Sequence, residues 1–220
     1  MTRSETDTTR ALRGLASGDP SVRLRVALAI GTTPDPGFVD PLVARCATEP
    51  DFSVREMLTW ALTRHPPAAT VPRLVAALGS TGTRARSQAL HTLSKIGDRR
   101  AWPALTRALL TDTDDEVARS AWRAAVALVP DGAESGLAEV LATQLGRGDR
   151  ATQWSLSRAL AALGEVVAPL LHTAGTDPDP RVRAHAVATQ RLLRDPDAGF
   201  EFSLGEATRI VALGGTGGQG

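Results

Sequence analysis

The stretch DPDPRVRAHA, residues 177–186, decides the fold. Two Asp-Pro pairs break the chain, and Val182-Arg183 then opens an apolar run of helical spacing. The same phrase stands near the other end as DPSVRLRVALAIG, residues 19–31, with Val22-Arg23. With Val22 as position zero, equivalent openings follow at Val54, Ala85, Val117, Ala151 and Val182, in steps of 32, 31, 32, 34 and 31 residues. A second marker runs between them at Pro41, Pro72, Pro103, Gly136 and Pro169, spaced 31, 31, 33 and 33, each ahead of a short leucine-rich helical pattern. Two interleaved series with one period describe a two-helix unit repeated about six times.

Local chemistry agrees with that unit. Proline is tolerated in the first turn of a helix, where its missing N–H leaves nothing unpaired. Asp19, Asp51, Asp114, Asp149 and Asp179 stand just before the second helix of a unit, placed to cap free N–H groups. Apolar or small residues recur at offsets zero, four and eight (Val22, Val26, Ile30; Val54, Leu58, Leu62; Ala85, Ala89, Leu93), which is one helix face. No segment sustains an alternation of period two, so no sheet is expected. First helices are expected near 8–17, 37–48, 68–78, 99–110, 133–146 and 165–174, and second helices near 20–30, 52–64, 82–96, 114–128, 149–163 and 179–193. A single pair cannot bury its apolar face, whereas stacked neighbours can. The fold class is therefore an all-α solenoid: about six helix pairs over 8–213, a capping helix at 202–214, a flexible lead at 1–7 and a flexible Gly-rich tail at 214–220.

The proline-marked helix followed by D-P-x-x-V-R-x-x-A resembles the HEAT-repeat family over roughly residues 8–195. The resemblance implies an Asp–Arg ladder along the second helices, matched by Asp19 with Arg23, Asp51 with Arg55 and Asp179 with Arg183. In the fourth unit Ala118 follows the marker and the arginine comes at Arg119; in the fifth Thr152 replaces it, which breaks the ladder. The blocks at 55–66 and 85–123 are similar to a bacterial subgroup, some of whose members carry an N-terminal MerR-type helix-turn-helix. That similarity implies a regulatory or effector-sensing role. Here the repeats begin within about 20 residues of Met1 with no DNA-reading helix-turn-helix before them, which argues against direct transcriptional control.

Composition narrows the function classes. A formal charge of +1 supplies no strong field toward nucleic acid or anionic lipid. Cys46 is the single cysteine, which excludes a disulfide framework or zinc cluster and suits a reducing cytoplasm. The polar N-terminus is not of signal-peptide type, and no run of about 18 apolar residues offers a membrane span. His65, His91, His172 and His185 show no metal-binding spacing, and Ser87 and Ser120 have no nucleophile-elbow context. TDTDDEV, residues 111–117, fails as a calcium loop because Val117 and Arg123 occupy its sixth and twelfth positions; it reads as a helix-capping turn. No enzyme activity, cofactor or metal is expected.

The remaining candidates are the residues that second helices turn toward the concave face of such a solenoid. They are Glu56, Trp60, Gln88, His91, Lys95, Arg119, Trp122, Arg123, Gln153 and Ser157. Tryptophan, arginine and amide groups suit a protein or peptide partner, so the leading expectation is a non-catalytic scaffold. Two alternatives accompany it. One is a DNA glycosylase of the HEAT-like type, with Trp122, Arg119, Arg123, Asp115 and Glu116 around damaged DNA, against which the near-neutral charge counts. The other is a sensor or sequestering protein with a small molecule in the groove. Nothing marks the tetrapyrrole site that a chromophore lyase role, known for some related repeat proteins, requires.

Overall fold

The computed structural model describes residues 3–195 and Thr208. The expected capping helix at 202–214, Thr208 apart, and the tail at 214–220 lie outside the described residues. The described residues form twelve α-helices and three 3-10 segments and contain no strand. The fold class is all-α, a solenoid of helix pairs. Contacts divide the chain into two compact units, 1–104 and 105–220.

In the first unit the pairs are α1 (Arg3–Leu15) with α2 (Pro20–Thr32), α3 (Val39–Thr48) with α4 (Phe52–Arg64), and α5 (Pro67–Ala77) with α6 (Thr83–Ile96). Helix α1 begins at Arg3, ahead of the expected start at 8. Second helices stack on second helices, α2 on α4 and α4 on α6. Leu42, Leu58, Leu62, Leu74, Leu90 and Leu93 fill the space between the two rows. In the second unit α7 (Arg107–Leu110) leads into α8 (Asp115–Leu128), α9 (Glu134–Ala142) pairs with α10 (Arg150–Ala162), and α11 (Ala168–Ala174) with α12 (Pro180–Arg194). Here α8 packs on α10 and α10 on α12.

The fourth first helix, expected over 99–110, is broken. A 3-10 segment spans Arg99–Ala104, and only one α-turn follows at Arg107–Leu110. Pro103 stands in the interior of the segment, where it lacks an N–H and its ring crowds the carbonyl four residues back. The break falls where the two units meet in sequence. Pro41 and Pro169 do occupy first turns, whereas Pro72 lies inside α5 and Pro67 takes the first position.

All five expected aspartates cap their helices. Asp19 accepts from the N–H of Ser21, Asp51 from Val54, Asp114 from Glu116 and Val117, Asp149 from Thr152 and Asp179 from Arg181. The arginines act differently from the expected ladder. Each reaches back over the turn that precedes its own helix and donates to two successive carbonyls. Arg23 takes Ser17 and Gly18, Arg55 takes Glu49 and Pro50, Arg86 takes Ser80 and Thr81, and Arg183 takes Asp177 and Pro178, at 2.6–3.1 Å. The aspartate is thus a cap, and the arginine is a clasp that pairs carbonyls the turn leaves open.

The fifth unit shifts the expected register by one residue. Asp149 caps the N–H of Thr152, the spacing by which Asp51 caps Val54, so Thr152 occupies the buried apolar position and Gln153 the arginine position. Neither the fourth nor the fifth second helix carries the clasping arginine. In the fourth, Arg147 from the loop before α10 supplies the missing donor: it bonds the Asp112 carbonyl and pairs with Asp115 at 2.8 Å. Burial pushes the Cys46 thiol up to about 12, with a smaller push from Glu49, so this thiol stays protonated at neutral pH.

Candidate functional site

The second helices present two clusters, one in each unit. In the first unit, Glu56 and Trp60 lie one turn apart on α4, and His91 and Lys95 one turn apart on α6. Glu56 Oε1 is 3.2 Å from His91 Nε2. Trp60 is 37% exposed, with Cζ3 and Cε3 of its ring against Gly31 of α2. Only a glycine admits that approach, since a Cβ at position 31 would also stand 2.9 Å from the Ala61 Cα. Gln88 does not belong to this surface: it is buried and donates to Thr59 Oγ1, which in turn meets Thr92 Oγ1.

In the second unit Arg119 and Arg123 of α8 face Trp154 and Arg158 of α10 across a hollow of about 380 Å³. Val126, Ala127, Ala159 and Ala162 supply its apolar wall. The Arg158 guanidinium lies 5.8 Å from the Trp154 ring centroid, a cation–π distance. Arg123 donates to Ser120 Oγ at 3.1 Å. The Arg119 Nε is covered and has no hydrogen-bond partner. Three cations line this hollow, and no acid is among its lining residues.

Three expected site residues of this unit sit inside the protein instead. Trp122 is fully buried, with Nε1 donating to the Leu110 carbonyl, so its face is closed to a partner or a flipped base. Gln153 and Ser157 are buried in the seam with α12. Their exclusion follows from the register shift: in α4 and α8 the positions two and six residues past the apolar marker carry Glu56, Trp60, Arg119 and Arg123, and the same positions in α10 are Trp154 and Arg158 when Thr152 is the marker. Counting from Ala151 selects Gln153 and Ser157, one residue early. With the shift, Trp154 and Arg158 match Arg119 and Arg123, counted from Val117, and Glu56 and Trp60, counted from Val54. The Asp149 cap was the available signal.

A serine, a histidine and a threonine meet in that seam. Ser157 Oγ is 3.0 Å from His185 Nε2 and 2.7 Å from Thr189 Oγ1. The Gly146 N–H donates to His185 Nδ1 at 3.0 Å, so Nδ1 is bare and Nε2 carries the proton, donating toward the Gln153 carbonyl. An Nε2 that holds a proton cannot take one from Ser157, so the pair is structural. Burial holds the His185 pKa down at about 4, against a smaller upward effect of the Gln153 carbonyl. Asp115, a carboxylate of the glycosylase alternative, is tied to Arg147. Among the described residues no group of three His, Cys, Asp or Glu is placed to hold a metal ion, and no helix is long and apolar enough to cross a membrane.

Residues 39–127 match the family model of HEAT repeats. This stretch carries HEAT repeats. Two solved structures resemble this chain. The crystal structure of an engineered protein is 24% identical, covering 91% of this chain and 97% of that one, with a TM-score of 0.48. The complex of CpcE and CpcF of phycocyanin lyase from Nostoc sp. PCC7120 is 19% identical, covering 90% and 85%, with a TM-score of 0.48. No curated protein matches the chain.

Proposed function

We propose that this HEAT-repeat chain is a non-catalytic scaffold, in a regulatory setting, that holds a protein or peptide partner on the outward face of its second helices. One observation carries the reading: the hollow between α8 and α10, lined by Arg119, Arg123, Trp154 and Arg158 with an apolar wall, the Arg158 guanidinium lying over the Trp154 ring. Arginine and tryptophan are the side chains that most often anchor protein interfaces, because each buries a large area around a few directional contacts. The test is affinity capture from native lysate with the wild-type chain and with Arg123→Ala, an exposed residue whose loss leaves the core intact. A partner retained by wild type and lost by the variant supports the reading. An identical set of captured proteins refutes it.

A further inference from the structure

We infer that this face takes an acidic, extended peptide segment, with a carboxylate among Arg119, Arg123 and Arg158 and a bulky apolar side chain about three residues away. The inference rests on the protein-binding reading above and names the chemistry of its partner. A second depression adjoins the first on the other side of α10. It has about 410 Å³ and is lined by Trp154, Arg158, Ala161, Leu192 and Leu193. Trp154 and Arg158 line both, so they form the ridge between a cationic hollow and an apolar trough.

The two halves ask for different groups. A guanidinium offers paired donors that match a carboxylate, and three of them line one hollow whose lining holds no acid. The covered Arg119 Nε adds an unmet donor, which an arriving acceptor satisfies once the guanidinium turns. Beyond the ridge the leucines and Ala161 ask for an apolar side chain. Nucleic acid fits poorly, because its phosphates repeat evenly while the cations here cluster at one end, and the chain carries only +1 overall. Packed helices lie about 8–10 Å apart, and a chain extended as polyproline II advances about 3.1 Å per residue with three residues per turn, so that side chains three apart share one face. An acid in the hollow therefore places the third residue along, in either direction, over the trough.

The test is isothermal titration calorimetry of the full chain with blocked peptides whose only charge is one glutamate. The probes are acetyl-Gly-Glu-Ala-Ala-Leu-Gly-amide and its order-reversed counterpart acetyl-Gly-Leu-Ala-Ala-Glu-Gly-amide. One order is expected to bind. Replacing its glutamate by glutamine should weaken it about tenfold, the scale of a lost charge-assisted pair. Placing Glu and Leu side by side should weaken it similarly. Arg123→Gln should erase the preference for Glu over Gln. Equal affinity for the Glu and Gln peptides, indifference to spacing, or no binding in either order overturns the inference. So does displacement of the peptide by inorganic phosphate or a short oligonucleotide at lower concentration than by unlabelled peptide. The protein-binding reading stands or falls separately, on whether Arg123→Ala changes the captured proteins.

Discussion

Arg23 and Glu49 form a two-bonded ion pair inside the first unit. Nε and Nη2 of Arg23, on α2, each meet a different carboxylate oxygen of Glu49, in the turn before α4, at 2.7 Å. Arg45 bonds the same carboxylate at 2.8 Å, and the Asp51 N–H donates to it at 2.9 Å. Burial pushes the Glu49 carboxyl up, but Arg23, the Asp51 N–H and Arg45 together outweigh it and hold the pKa at about 2. Glu49 stands at the repeat position held elsewhere by Ser17, Ser80, Asp112 and Asp177, each of which accepts the N–H two residues on. It alone is long enough to do this and to reach the neighbouring pair.

Glu49→Gln leaves a buried guanidinium uncompensated and should destabilise the chain by about 3 kcal/mol. Urea denaturation at neutral pH checks this. A loss within about 0.5 kcal/mol, the range of ordinary surface changes, would mean that the pair contributes little.

Acid should destabilise the protein in two windows. The His185 pKa is depressed from 6.5 to about 4, so between those values the unfolded chain binds a proton that the folded chain does not. Stability then falls as pH drops below 6.5, by up to ~1.4 kcal/mol per pH unit from this group. Glu49 is depressed from 4.5 to about 2, and its contribution is lost as pH falls below 4.5. Urea midpoints measured from pH 7 to 3 test both. In His185→Asn the slope between pH 6.5 and 4 should flatten while the lower window persists; an unchanged upper slope would assign it to other groups.

Gly31→Ala should destabilise the first unit by about 1–3 kcal/mol, since the new methyl group meets both the Trp60 ring and the Ala61 backbone. A thermal melt measures the loss. The tryptophan emission should shift toward red as the Trp60 ring is displaced. A melt and spectrum matching wild type would contradict the close approach of α2 and α4.

Arg147→Ala removes the donor that replaces the absent clasp of the fourth unit, freeing the Asp112 carbonyl and Asp115. A loss of about 1.5–3 kcal/mol is expected, as for hydrogen bonds to charged groups. Ala118→Arg in that background restores the clasp from within the repeat and should recover part of the loss. No recovery would show that the two arginine positions are not interchangeable.

The helix pairs were legible because their signals are local. A proline, an aspartate and an apolar stripe each act within a few residues, and five of five aspartate caps appear at the expected positions. The broken fourth first helix is also a local effect, of Pro103, but the leucines around it kept the helical pattern. The site was legible only in part. Trp60, Glu56, His91, Arg119 and Arg123 sit on second-helix faces, while Trp122 and Gln88 turn inward because helix phase is settled by packing across pairs. Trp154 and Arg158 were missed through a one-residue slip, since the small residues Ala151 and Thr152 offer no contrast in size to fix the phase. The arginine clasps were hidden for another reason: an arginine and an aspartate four apart suggest an ion pair, and backbone carbonyls leave no mark in a sequence.

The most direct test of the scaffold account is carbene footprinting of the full chain, alone and with its captured partner. The account predicts that labelling falls at Trp154, Arg158 and Arg123 on the second helices and stays unchanged on α9 and α11. Protection confined to α9 and α11, with the second-helix residues labelled as before, would contradict it.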